Sequence, residues 1–257
     1  KWNLRHNIDF KVGNYYYFKL YLQLGNKEFL LDTKEVNAEY GWQLINHWTD
    51  FDKLANNPKG KFRVTSDIVV PKTVVDEVRQ IEGTLDFDGH KLVLKNGIRL
   101  FSVAPTGTLK NVIVEYSYPY SESGIIDHGS LVYSNYGLIE NILVKFNRNL
   151  TITGNTADFG AVCLNNYDGG IIQKVAIIND AVLQLNSQTK QTTNSGYFSL
   201  GVIYNRGIIR DSYAVCTNSD ARIYNWTSEV GVKNYFGGLV YNNLQTGIVE
   251  NCYTVIN

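Results

Sequence analysis

The chain has 257 residues, with 24 basic and 24 acidic side chains and so a formal charge of zero. It has no basic stripe to meet nucleic acid, and no run near the roughly 18 apolar residues of a membrane helix. Tyr is abundant at 18 and Pro scarce at 4, which fits an all-β domain; the lack of Met and the Lys at position 1 point to a piece of a longer chain.

Residues 1–36 contain Tyr15-Tyr16-Tyr17-Phe18-Lys19-Leu20-Tyr21-Leu22-Gln23-Leu24, then Gly25-Asn26, then Lys27-Glu28-Phe29-Leu30-Leu31. The spacing predicts a β-hairpin with a two-residue Gly-Asn turn. Tyr17, Lys19, Tyr21 and Gln23 face one way, and Phe18, Leu20, Leu22 and Leu24 the other. A hairpin alone is marginal in water, so it either ends a β module or docks on the mouth of the repeat region.

Residues 37–66 read as a junction. Thr49 or Asp50 can cap a short helix with Phe51, Leu54 and Ala55 on one side, ended by Asn57-Pro58-Lys59-Gly60. Phe62–Thr65 is then a strand. A stack of repeats needs an atypical end unit, and this helix fills that role.

Residues 67–257 carry a repeat. Gly247-Ile248-Val249-Glu250-Asn251-Cys252-Tyr253-Thr254-Val255 has counterparts opening at Gly207, Gly170, Gly137 and, more weakly, Gly107. The shared pattern is Gly, two aliphatics, two polar residues, then an apolar, any residue, and Val or Ile. Intervals of 30, 33, 37 and 40 residues signal a repeat architecture with fixed strands and variable turns. No segment gives ten residues of helical periodicity, and three short strands per interval predict a right-handed parallel β-helix of roughly six coils. Its rungs stack about 4.8 Å apart. Ile139, Ile172, Ile209 and Val249 should then line the interior. Asn141, Lys174, Asp211 and Asn251 should form a row near one bend, and Asn135, Asn165, Asn205 and Asn242 should mark another.

Cys163, Cys216 and Cys252 show no metal-binding spacing. They read as small buried hydrophobes, with a Cys216–Cys252 bridge open if the Cα atoms fall within about 7 Å. Asp86, Asp88 and Asp127, with His90 and His128 near them, could do acid–base work on a sugar. Alternation instead puts Asp86 and Asp88 on the outer face at a turn, and later coils add no matching acids. Three between-strand segments could contact a partner: Tyr116-Ser117-Tyr118-Pro119-Tyr120, the polar loop 187–195, and Asn225-Trp226-Thr227. Exposed Tyr and Trp on a rigid scaffold make strong contacts. For Tyr116, Tyr118 and Tyr120, packing against the coil is an equal alternative; for Trp226, packing comes first.

The order hairpin, Phe51-Asp52-Lys53-Leu54-Ala55-Asn56-Asn57-Pro58-Lys59-Gly60, Ile81-Glu82-Gly83-Thr84-Leu85-Asp86-Phe87-Asp88-Gly89-His90, Leu100-Phe101, then glycine-opened repeats resembles one family region. It is similar to the non-catalytic N-terminal part of the streptococcal IgA1-protease-like zinc metallopeptidases, with their GLUG-type repeats. Residues 1–36 are similar to the end of the fibronectin-type-III-like modules that precede it. The repeats here depart by lacking a second Gly after the aliphatic pair. The resemblance implies a parent protease, secreted or cell-wall-attached on a bacterial surface, acting on a host glycoprotein such as immunoglobulin A. It implies zinc in the parent's catalytic domain and no cofactor in this fragment, whose partners would be the glycoprotein and that domain. The family's peptidase uses H-E-x-x-H. His6, His47, His90 and His128 include no such pair, so no catalytic or metal residue is assigned. The alternatives are a stand-alone surface adhesin and a β-helix polysaccharide lyase or hydrolase.

Overall fold

The computed structural model describes residues 15–24, 27–37, 41–71, 78–95, 99–116, 128–146, 149–154, 158–187, 196–217, 223–226 and 234–256. The chain divides into two compact units, Lys1–Gln43 and Leu44–Asn257. In the first, Tyr15–Leu24 pairs antiparallel with Lys27–Asn37. Leu20 faces Asp32 and Tyr21 faces Leu30, so Leu31 is the extra residue of a bulge. The Gly25-Asn26 turn and the facing of Tyr17, Lys19, Tyr21 and Gln23 lie outside what the structure describes.

The second unit is a parallel β-helix, as the repeat spacing predicts. Its longest face stacks seven rungs: Lys61–Val64 with Ile68–Val70, Thr84–Asp86 with Lys91–Leu94, Thr108–Tyr116, Leu138–Phe146, Ile171–Asn179, Ile208–Arg210 with Tyr213–Cys216, and Ile248–Glu250 with Tyr253–Val255. A second face runs from Arg79–Ile81 through Arg99–Val103 and His128–Asn135. Its later rungs each split in two at a bend, as in Gly196–Ser199 and Val202–Asn205. A third, shorter face stacks Leu150–Gly154, Leu183–Ser187 and Ile223–Trp226.

The repeat pattern follows from this geometry. Along Ile171–Asn179, Ile172, Val175 and Ile177 are buried, so the first two inward residues are three apart instead of two. Between them Lys174 sits at φ 55°, a left-handed step that resets the alternation and accounts for the two polar residues in each repeat. Asn111, Asn141, Asp211 and Asn251 take the same conformation, at φ 51–58°. The expected row at this bend is therefore present.

Ile139, Ile172, Ile209 and Val249 also stack in register, and Phe62, Leu85 and Leu109 extend the column downward. All are fully buried except Val249, which is 41% exposed on the last described rung. Each buried member contributes about 1.5–3 kcal/mol of transfer free energy. The opening glycine permits the stacking. A Cβ on Gly207 would overlap the carbonyl oxygen of Gly170 on the rung beneath.

The cap differs from expectation in its details. A 3₁₀ turn, Trp48–Phe51, runs into a short helix, Asp52–Asn56. The residue capping the turn is His47, rather than Thr49 or Asp50: its ring nitrogen accepts from the Thr49 N–H, and the Asp50 carboxylate accepts from the N–H groups of Asn46 and His47. A histidine here fills the place usually held by Ser, Thr, Asp or Asn. Phe51 and Leu54 are buried but Ala55 is exposed, so the helix buries a narrower face than expected. The Phe51 ring meets Phe101 edge-on at 5.2 Å, and buried Arg79 ties the helix to the coil by donating to Asp52 Oδ1 at 2.7 and 3.1 Å.

The second Asn row is the clearest correction. The stacked residues are Asn135, Asn166, Asn205 and Asn243, so Asn165 and Asn242 are each one position off the row. Asn135 Nδ2 donates to Asn166 Oδ1 at 2.8 Å, Asn166 Nδ2 to Asn205 Oδ1 at 2.7 Å, and Asn205 Nδ2 to Asn243 Oδ1 at 2.7 Å. At each Asn-Asn step the residue whose amide reaches the rung below is taken into the ladder. Cys163, Cys216 and Cys252 form no disulfide, so Cys216 and Cys252 are not bridged.

A tyrosine- and asparagine-lined face

The row of buried asparagines organises a surface on either side of it. The residues just before the row are Asn165, Tyr204 and Asn242, which stack in register. The residues just after it are Tyr136, Tyr167, Arg206 and Leu244, whose N–H groups each bond a carbonyl of the rung beneath. Tyr136 and Tyr167 stack face to face at 4.5 Å, and the Arg206 guanidinium lies 5.9 Å from the Tyr167 ring centroid. Together Asn165, Asn166, Tyr167, Tyr204, Arg206, Asn242 and Leu244 line a cleft of about 320 Å³. Neither the Asn165 nor the Asn242 amide has a hydrogen-bond partner among the described residues.

Tyr204 continues this cleft into an aromatic strip. Gly196–Ser199 and Val202–Asn205 meet at Leu200-Gly201, both buried. Tyr197 and Tyr204, from opposite arms of that bend, come within 6.2 Å. Outward side chains on two arms converge only where the bend is concave towards solvent, so the strip lies in a groove. Tyr235 stacks on Tyr197 at 5.6 Å, and Tyr241 meets Tyr197 at 5.1 Å and Tyr204 edge-on at 6.4 Å. Ile203, between residues in register with Val240 and Asn242, is fully buried yet stands outside the central core cluster.

One carboxylate belongs to this strip. Asp158 pairs in register with Tyr197, one rung below it. Burial lifts its carboxyl to about 6, against a partial downward pull from the Tyr197 N–H. In turn Tyr204 is pushed up to about 12, first by burial and then by the charge of Asp158. Tyr241 is raised first by burial, then by neighbouring tyrosines and by Asp158. A half-buried anion under a row of phenols can accept hydrogen bonds from a hydroxyl-bearing ligand, while the rings offer flat apolar faces.

The residues singled out from sequence lie elsewhere. Tyr116 is 1% exposed, and its hydroxyl donates to the Ala161 carbonyl at 2.6 Å. It stacks on Phe146 at 5.3 Å, so for this residue the packing reading holds and no surface remains to meet a partner. Tyr118, Tyr120 and Asp127 lie outside the described residues, as does the loop at 188–195 and the Trp226 side chain. The Trp226 backbone pairs with Asn186 on the third face. Asp86 faces away from the core, as alternation predicts, in register with Arg63 and Lys110, but it is covered and only 6% exposed. It accepts from the Asp88 N–H and from Asn111 Nδ2, both at 2.8 Å, because it starts the hydrogen-bonded row that Asn111 and Asn141 continue. His90 lies 3.4 Å from Asp67. Asp86 and His90 are thus held by different partners. Among the described residues no group of three or more His, Cys, Asp and Glu is placed to hold a metal.

Sequence reasoning missed Asp158, Tyr197, Tyr204, Tyr235 and Tyr241. A signal was present: Tyr133-Ser134-Asn135-Tyr136, Asn165-Asn166-Tyr167 and Tyr204-Asn205-Arg206 repeat a polar or aromatic residue on both sides of the row. Comparison with family models, with curated proteins and with solved structures found no significant match to this chain.

Proposed function

We propose that this chain is a non-catalytic, substrate-facing region of a secreted or cell-wall-attached zinc metalloprotease acting on host glycoproteins such as immunoglobulin A. The observation that carries the recognition role is the groove of Tyr197, Tyr204, Tyr235 and Tyr241 beside Asn165 and Asn242, whose amides have no hydrogen-bond partner among the described residues. Aromatic side chains held on a stiff coil lose little entropy on contact, and free amides orient what docks. The protease context rests on the sequence resemblance from the hairpin through the repeats, and the zinc belongs to a domain outside this sequence. The test is capture of immunoglobulin A by the immobilised chain, compared with a Tyr197→Ala/Tyr241→Ala variant. Capture that falls at least tenfold in the variant supports the reading, and no capture by the parent chain ends it.

A second reading has one specific observation behind it. Asp158 is a carboxyl lifted towards neutrality inside a groove, which is the state of a general acid in sugar-cleaving enzymes. Release of reducing ends from a neutral polysaccharide, abolished by Asp158→Asn, would put this reading ahead of the first.

A further inference from the structure

Resting on the recognition reading, we infer that the groove is a subsite for a neutral oligosaccharide, so that the glycan of a glycoprotein, not its polypeptide, is what this face contacts. Its two halves divide the work. Tyr197, Tyr235 and Tyr241 cluster across successive rungs, Tyr235 stacked on Tyr197 and Tyr241 tilted against both, a mixed aromatic surface against which the C–H groups of a pyranose can pack. Asn165 and Asn242 offer amides that each both donate and accept, matching hydroxyls that do the same. Tyr204 lies in both halves, since it lines the cleft and touches Tyr197 and Tyr241.

Size and charge select the ligand class. A cleft of about 320 Å³ is at the small end of the range for ligand sites and admits a sugar unit, not a folded segment. The tyrosine rings touch one another at 5.1–6.4 Å, so they form a platform and leave no cage for a quaternary ammonium between them. Asp158 places a negative charge beneath that platform, which opposes a sialic or uronic acid there. Among the described residues the cation lining the cleft is Arg206, which lies against Tyr167.

The experiment titrates the chain with lacto-N-tetraose, a neutral tetrasaccharide, and with its sialylated form, following binding by calorimetry. The neutral sugar is expected to bind, the sialylated one at least fivefold more weakly. Tyr204→Ala and Asn242→Ala should each weaken the neutral sugar at least tenfold, with the unfolding midpoint of Asn242→Ala unchanged. Asp158→Asn should narrow the difference between the two sugars at least threefold. No heat with either sugar at millimolar concentration, or equal binding by the Asn242→Ala variant, overturns the inference. Capture of native and glycan-stripped immunoglobulin A separates it from the broader reading. Equal capture of both sinks the glycan site and leaves protein recognition standing. Sugar binding without any capture sinks the immunoglobulin reading and leaves the glycan site.

Discussion

Asn165 and Asn166 are neighbours in sequence and opposites in role. Asn166 is 1% exposed and bonded above and below through its side-chain amide, whereas Asn165 points into the cleft with no partner among the described residues. The same division runs up the coil, with Tyr204 beside Asn205 and Asn242 beside Asn243. One column is part of what holds the rungs in register; the column next to it differs from rung to rung and lines the cleft. A repeat protein thus places a binding surface without disturbing its core, because adjacent residues of a strand face opposite ways.

The comparison breaks most visibly at Asn166. In Asn166→Ala the Asn205 Oδ1 loses its donor and Asn135 Nδ2 loses its best acceptor, both in a buried setting. Each stranded group costs about 1–3 kcal/mol, so a loss of about 3 kcal/mol is expected in urea unfolding. Asn165→Ala should change stability by no more than about 0.5 kcal/mol. Equal losses in the two variants would show that the inner and outer columns are not distinct.

Gly207→Ala tests the spacing that both columns depend on. The added methyl would meet the Gly170 and Tyr167 carbonyl oxygens and the Asn166 amide, so the rung must move away from the one beneath. Overpacking of this kind costs about 1–3 kcal/mol. The same shift would lift Tyr204 off Asn165 on the rung beneath, so the groove should lose ligand affinity along with stability. Unchanged stability would mean that the glycine is replaceable and that the rungs are not in contact there.

The sequence made the coil legible because its constraints are repeated. Each rung must supply a glycine under the next carbonyl and an aliphatic residue to the column through Ile172, and five partly matching copies outweigh the noise in any one. The row at Asn141, Lys174, Asp211 and Asn251 was readable for the same reason. The face was not legible because its partners come from different rungs. Asp158 and Tyr241 are 83 positions apart, and nothing in either local stretch says they share a groove. Sequence spacing could not choose between Asn165 and Asn166 either, since that choice is made by which amide reaches the neighbouring rung. Tyr116 drew attention as part of a tyrosine cluster, yet it ends a strand whose alternation turns it inward against Phe146 and Phe159.

Asp158 sharpens the comparison through pH, since it is the ionisable group placed beneath the outer face. Its folded-state value, about 6, lies above the 3.8 of an unperturbed aspartate, so the folded chain holds this proton more tightly than the unfolded one. Its effect on stability is therefore nil below about pH 4, grows into a penalty between about pH 4 and 6, and is level above that. With allowance for solvent access, the penalty is about 1 kcal/mol. Asp50 and Asp67 are lowered, chiefly by the N–H groups of Asn46 and of Lys91, so they lose stability in the opposite direction and at lower pH. The difference between the parent chain and Asp158→Asn isolates the effect: it should grow in favour of the variant between pH 4 and 7. A flat difference would mean that the carboxylate is fully solvated.

The smallest effect is expected at Lys174, in the left-handed row on the long face. Asn111, Asn141 and Asn251 hold this conformation with a side chain suited to it, but Lys174 has only its backbone to do so, at φ 55°. An L-residue without a local hydrogen bond pays about 1–2 kcal/mol in this region, and part of that is already offset here by the parallel pairing on both sides. Lys174→Asn should therefore stabilise the coil by about 0.5–1 kcal/mol, read as a higher urea midpoint at an unchanged slope. It lies in a strand of the long face and not in the groove, so sugar binding should not move with it. A gain in stability with constant affinity would separate what the coil requires from what the face does. No gain would show that the backbone at this bend is held by its neighbours, whatever residue stands there.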